Sequence, residues 1–284
     1  MITDTAVVFA GGGVAGIAWE TGVLFGLHEA DPGLAARILA SSSTFIGTSA
    51  GSTVAAQIAG GGDLDVLFDR QVADETAEIQ VEFDIATLMS VMTGAMTAPG
   101  SPEEKRQRIG AYAVTAETVA PGVRRAVIDA RLAGLDWTDH PLLIPAVDVA
   151  NGELQIFDSS SGVSLVDAVT ASCAVPGIWP PVEIDGRLYM DGGTRTIANL
   201  DLAAGATRIL VLVPALAETP YGAALTAAEL SAVADARVFP VFADDASIAA
   251  MGSNPLDPAT RPAAARAGRD IGHRIAADLG KFWQ

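Results

Sequence analysis

Short aliphatic runs and stretches of helical period alternate along the chain. Residues 6–10 (AVVFA) form an unbroken apolar run around the β-branched Val7 and Val8, the pattern of a parallel strand covered on both faces. A helical pattern occupies 17–30, a second strand-like run falls at 44–46, and helix returns over 52–58. Residues 63–119 read as mostly helical, with an acidic stretch at 69–82, a breaker at 99–102 and a charged helix start at 103–108. Met89, Met92 and Met96 share one face there, either as a core-facing stripe or as the wall of an apolar pocket. Residues 123–132 read as an amphipathic helix.

Strands dominate from 142. Residues 142–149 pair with 154–157 across Asn151-Gly152, and 182–184 with 188–190 across Asp185-Gly186. Helix over 165–174 stops at Pro176-Gly177. A helix near 200–204, strands at 208–213 and 238–242, and a closing helix over 261–282 complete the pattern. No repeat or long polar linker interrupts it. The expectation is one α/β domain over 1–284, with a mostly parallel central sheet between helical layers and a helical flap inserted around 63–120.

Half the residues are hydrophobic but only 6% are aromatic, so small side chains predominate and helices can approach the sheet closely. No stretch nears the ~18 apolar residues of a membrane span. Asp4 stands where a signal peptide would carry lysine, so a soluble, cytoplasmic protein is expected. The net charge of −17 disfavours nucleic acid and anionic bilayers, leaving at most transient membrane contact. The lone Cys173 excludes an internal disulfide. Oligomeric state is not encoded in these features.

Two glycine clusters carry the chemistry. Gly47-Thr48-Ser49-Ala50-Gly51 is a G-x-S-x-G between strand and helix, the setting of a nucleophilic serine on a sharp turn. Gly47 and Gly51 allow the close backbone approach that this turn demands. Gly11-Gly12-Gly13-Val14-Ala15-Gly16 lies between the first strand and its helix, where N–H groups converge on negative charge. The hexapeptide also fits G-x-G-x-x-G, so a non-catalytic phosphate- or nucleotide-binding protein is an alternative. That reading needs an acid after the second strand, where Ser49 stands instead.

A serine hydroxyl needs a base. Of three histidines, His28 faces away from the sheet top, and His140 precedes Pro141 in a loop with an expected surface role. His273 has the chain position for a Ser–His–Asp esterase but lies off the Ile271, Ile275, Leu279 stripe, on a solvated face. Asp191, at a strand end before Gly192 and Gly193, is either a base raised in pKa by burial or a turn aspartate. The scattered histidines imply no metal, and no cofactor is expected.

Four motifs in order make the chain resemble the bacterial patatin-like phospholipases. They are G-G-G-x-x-G at 11–16, G-x-S-x-G at 47–51, A-S-x-x-x-P-x-x-x-P-P at 171–181 and D-G-G at 191–193, with Asn199 shortly after. The resemblance spans roughly residues 5 to 215. It implies a three-layer fold and a Ser–Asp dyad without histidine, with Ser49 as nucleophile and Asp191 as base. Gly11, Gly12 and Gly13 would form the oxyanion hole, joined by Ala50. Gly16, Gly47, Gly51, Gly192 and Gly193 support the motifs, and Cys173 takes a variable position. The expected substrate is a lipid, lysolipid or small carboxylic ester. Many relatives carry a cation inside the glycine loop; Val14 and Ala15 remove it here, weakening the case for phospholipid specificity.

Overall fold

The computed structural model describes residues 5–81, 85–219 and 222–284, so Asp4 and Glu82 lie outside the described chain. β1 (Thr5–Phe9) leads through the glycine loop into α1 (Gly13–Ala30), and α2 (Pro32–Ser41) returns to β2 (Thr44–Gly47). α3 (Ala50–Ala59) follows the second glycine cluster. α4 (Leu64–Val72), α5 (Ile85–Thr97) and α6 (Pro102–Thr115) make the inserted helical segment, and α7 (Pro121–Leu132) leads back to β3 (Leu142–Asp148). The breaker before α6 is followed by a reciprocal cap between Ser101 and Glu104, as the charge pattern predicts.

β4 (Leu154–Phe157), α8 (Leu165–Ser172), β5 (Val182–Ile184) and β6 (Arg187–Asp191) come next, then β7 (Arg208–Val213) and the short pair β8 (Glu218–Thr219) and β9 (Gly222–Ala223). α9 (Ala227–Ala232), β10 (Arg237–Phe242), α10 (Asp245–Met251) and α11 (Arg261–Trp283) complete the chain. The main sheet runs β10-β7-β1-β2-β3-β6-β5, with β4 also on β3. β10, β7, β1, β2 and β3 are parallel; β4, β6 and β5 join antiparallel. Both expected hairpins form. The fold is therefore a mixed, mostly parallel sheet flanked by helices.

Period-two alternation divides the core. Val7, Phe9, Leu210 and Leu212 point into one cluster, while Ala6, Val8, Ile209 and Val211 point into another across the sheet. α1 is buried over nearly its whole length and meets α11 through glycine: a Cβ at Gly22 would lie 2.1 Å from the Ala265 carbonyl. The low-aromatic, small-residue composition is what allows this approach.

Three expectations need correction, and one helix has no counterpart among them. α1 begins at Gly13, four residues before the periodic pattern, because the helix start is built from the glycine loop itself. Residues 32–41, not read as an element, form α2, capped by the Asp31 carboxylate on the Leu34 N–H. The methionines do not form a core stripe: Met92 packs against the cluster that holds Val147 and Met190 and lines a cavity, while Met96 is 52% exposed. His140 is half-buried instead of standing free at the surface: its ring stacks on Phe45 at 4.1 Å, and partial burial lowers its pKa.

Candidate active site

The parallel strands deliver both glycine clusters to one edge. β1 and β2 are neighbours in register, Phe9 beside Gly47, so the loops after them emerge together at the carboxyl end of the sheet. A Cβ at Gly11 would stand 3.3 Å from the Ser49 Cβ, which shows how closely the glycine loop passes the serine.

Ser49 sits between β2 and α3 with φ 52° and ψ −120°, a backbone conformation that costs a non-glycine residue on the order of 1–3 kcal/mol. The surroundings hold it there. Its N–H donates to Ser172 Oγ at 2.9 Å, and Ser172 in turn donates to the Pro145 carbonyl at 2.7 Å. Its carbonyl accepts from the Ser52 hydroxyl at 2.6 Å and the Cys173 thiol at 3.0 Å. Cys173 is thus a buried clamp on the elbow, not the incidental occupant of a variable position. Burial pushes its thiol pKa up, so it stays protonated and donates.

Asp191 arrives on β6 opposite Ala146 of β3. Ser49 Oγ donates to its Oδ2 at 2.6 Å, and the Gly193 N–H donates to its Oδ1 at 2.6 Å. Gly192 can follow because it has no side chain: a Cβ there would meet the Pro145 carbonyl at 2.3 Å. Asn199 ties the two loops together, its amide donating to Thr48 Oγ1 at 3.1 Å and to the Gly192 carbonyl at 3.3 Å. Burial raises the Asp191 pKa to about 6, against the opposing pull of the Ser49 and Gly193 hydrogen bonds and the Arg124 charge. The carboxyl is therefore ionised at neutral pH yet a stronger base than an exposed aspartate.

The glycine loop sorts its own donors. Gly13 adopts φ +66° and opens α1, so its N–H has no partner in the preceding turn of helix. Among the described residues, no backbone acceptor outside the helices and strands takes the N–H of Gly12, Gly13 or Ala50. Gly11 is different, and its expected place in the oxyanion hole is corrected: its N–H is donated to the Ile197 carbonyl at 2.7 Å. Gly11 shapes the loop instead. Gly16 backs it, with Pro214 lying 3.2 Å from where its Cβ would be.

These groups lie at a cavity of about 330 Å³ whose wall is mostly apolar, with Val14, Ile17, Met92, Val175, Trp179 and Leu256 among its residues. That volume is in the range of a small-molecule site. Two cations also line it, Arg124 and Arg131, both from α7. The amphipathic reading of 123–132 missed them, although Arg124, Val127, Ile128 and Arg131 follow helical spacing on one face and Val123 is 49% exposed.

The histidines stay elsewhere. His273 is on the outer side of α11 and bonds Glu29 at 2.9 Å, and His28 approaches Asp65 at 3.9 Å. Neither lines the cavity. Among the described residues, no three His, Cys, Asp or Glu side chains gather as metal ligands, and no helix is long and apolar enough to cross a membrane.

Among solved structures, VipD from Legionella pneumophila aligns over 98% of this chain and 67% of its own, with 14% identity and a TM-score of 0.47. The type III effector protein ExoU aligns over 97% of this chain and 53% of its own, with 17% identity and a TM-score of 0.42. ExoU from Pseudomonas aeruginosa in complex with SpcU gives 99%, 53%, 16% identity and 0.41. This chain thus spans about half to two thirds of those proteins, and likenesses of this strength carry no argument about it. The family comparison is stronger, since a model described as patatin-like phospholipase matches residues 7–204. That span takes in the glycine loop, the serine elbow, the 171–181 stretch and Asp191, and the chain belongs to the patatin-like phospholipase family.

Proposed function

We propose that this protein cleaves carboxylic esters of lipid or lysolipid type through a Ser49–Asp191 dyad and a covalent acyl-enzyme. The observation that carries the reading is the 2.6 Å hydrogen bond from Ser49 Oγ to a buried carboxylate, both residues lining an apolar cavity. As Ser49 Oγ bonds to the carbonyl carbon, its proton passes to Asp191 Oδ2 and the carbonyl oxygen becomes an oxyanion. The free amides of Gly12, Gly13 and Ala50, at the starts of α1 and α3, stabilise that charge. When the C–O bond to the alcohol breaks, the leaving oxygen takes the proton from Asp191. Water then gives a proton to Asp191, attacks the acyl carbon and releases Ser49 with its proton restored.

Geometry supports the dyad over a triad with His273, whose imidazole is engaged with Glu29 outside the cavity. The nucleotide-binding alternative has no acid after β2 to hold a ribose.

A panel of aryl esters of increasing chain length tests the proposal, read as kcat/KM against pH. Turnover should rise with acyl length from acetate, because a longer chain buries more apolar surface in the cavity. Only ionised Asp191 can take the proton, so kcat/KM should fall tenfold per pH unit below about 6. A rate independent of chain length would remove the lipid part of the claim. A profile flat from pH 7 to 5 would remove Asp191 as the base.

A further inference from the structure

We propose that Arg124 is the anion receptor of the cavity, holding the phosphate of a phosphate-bearing lipid ester while its carbonyl lies at Ser49. The role of Ser49 rests on the ester-hydrolase reading above; the anion site does not. Arg124 projects from α7 into the same cavity as Ser49 and Asp191, and the residue is only 3% exposed. Neither its Nε nor its Nη1 has a hydrogen-bond partner. A guanidinium buried in that state costs several kcal/mol, and the residue lines the cavity that holds Ser49, which points to a ligand as the missing acceptor.

The neighbours hold the group flat and leave its charge available. Trp179 lies under the guanidinium at 3.9 Å, which fixes its plane without using its N–H groups. Arg131, the other cation lining the cavity, is engaged: it donates to both Glu78 carboxylate oxygens at 2.7 Å. Glu78 also attracts Arg124 at longer range, and so does Asp191, but neither bonds it. Burial and the nearby Arg131 lower the Arg124 pKa to about 9, which leaves it charged at neutral pH.

This placement answers the puzzle posed by the glycine loop. With Val14 and Ala15 in the loop, no cation stands there. The positive charge enters the cavity from α7 instead, beside the apolar wall formed by Met92 and Trp179. A planar fork pre-set on an indole suits the oxygens of a phosphate better than a flexible ammonium would.

The test measures binding to the full chain by calorimetry, for wild type, R124M and R124K, with decyl phosphate, decyl glucoside and inorganic phosphate. The affinity ratio of decyl phosphate to decyl glucoside should fall about 10- to 100-fold in R124M and less in R124K, since a charge-assisted bond is lost. If inorganic phosphate binds as tightly as decyl phosphate and is lost in R124M, the occupant is free phosphate. Circular dichroism checks folding; should R124M fail to fold, R124K decides, with a severalfold fall expected. A ratio unchanged in a folded variant overturns the proposal.

Turnover of an acylglycerol phosphate against the matching neutral acylglycerol forms the second arm. R124M should lower the kcat/KM ratio by a similar factor. An equal loss on both substrates would mean that Arg124 acts only through Asp191 or through packing, and would also overturn it. Wild type that binds decyl phosphate through Arg124 yet hydrolyses neither ester would refute the hydrolase reading and leave the anion site standing.

Discussion

Asp191→Asn is expected to lower kcat/KM on an aryl ester by about 100- to 10,000-fold while making the protein more stable at pH 8. The amide cannot accept the Ser49 proton, so the first chemical step loses its base. It is nonetheless isosteric, and its oxygen can still accept from the Gly193 N–H as Oδ1 does now. The stability gain follows from the raised pKa, which stands at about 6 in the fold against an ordinary 3.8. A carboxyl whose folded pKa is raised favours the fold below its unfolded value and loses that contribution as pH rises through the folded value. At pH 8 the buried carboxylate therefore costs on the order of 3 kcal/mol that the amide does not incur. Thermal melts of the two proteins should coincide near pH 4 and separate by roughly 5–10 °C above pH 7, with the variant higher. A variant less stable than wild type at pH 8, or one that keeps its activity, would mean that Asp191 is a structural turn residue.

Gly51→Ala should destabilise the fold by roughly 3 kcal/mol or more and abolish turnover in whatever remains folded. The added Cβ would lie 2.2 Å from the Phe9 carbonyl oxygen and 2.4 Å from its carbon. Those atoms belong to β1, which is paired on both sides, so the overlap cannot be relieved by turning a side chain. Relief requires α3 to move off the sheet, and Ser49 moves with it. Gly94→Ala is the internal comparison. Gly94 lies inside α5 with nothing within 4 Å of a Cβ, so alanine there should stabilise by up to about 1 kcal/mol through helix propensity. Chemical denaturation of both variants checks the pair. Equal effects would show that the elbow has slack that this account denies.

The legible parts of the molecule were those in which a local pattern has one physical meaning. Continuous apolar runs at β1 and β7 announced strands buried on both faces, and Asn151-Gly152 announced the turn between β3 and β4. Glycine spacing located the elbow because only a chain passing within van der Waals contact of its neighbour requires it, as at Gly47 and Gly51. Asp191 was visible as a carboxyl at a strand end, but whether it met Ser49 depends on β6 pairing with β3, which no local feature records. Arg124 was lost because periodicity tells which face of a helix is covered, not what covers it. An arginine at the end of an apolar stripe reads as its border, whereas here it lies over a tryptophan from another segment. The Gly11 amide was misassigned for a similar reason: the carbonyl that takes it, Ile197, is distant in sequence. Ser172 and Cys173 brace Ser49 from more than a hundred residues away, so their roles appear only once the chain is folded.

A fluorophosphonate probe, followed by peptide mass analysis, tests the central claim most directly, since it reports whether one serine is activated in the folded chain. Wild type should take up a single adduct on Ser49, and Asp191→Asn should label at least about 100-fold more slowly. Folded wild-type protein that carries no adduct, or carries it on another serine, would contradict the account.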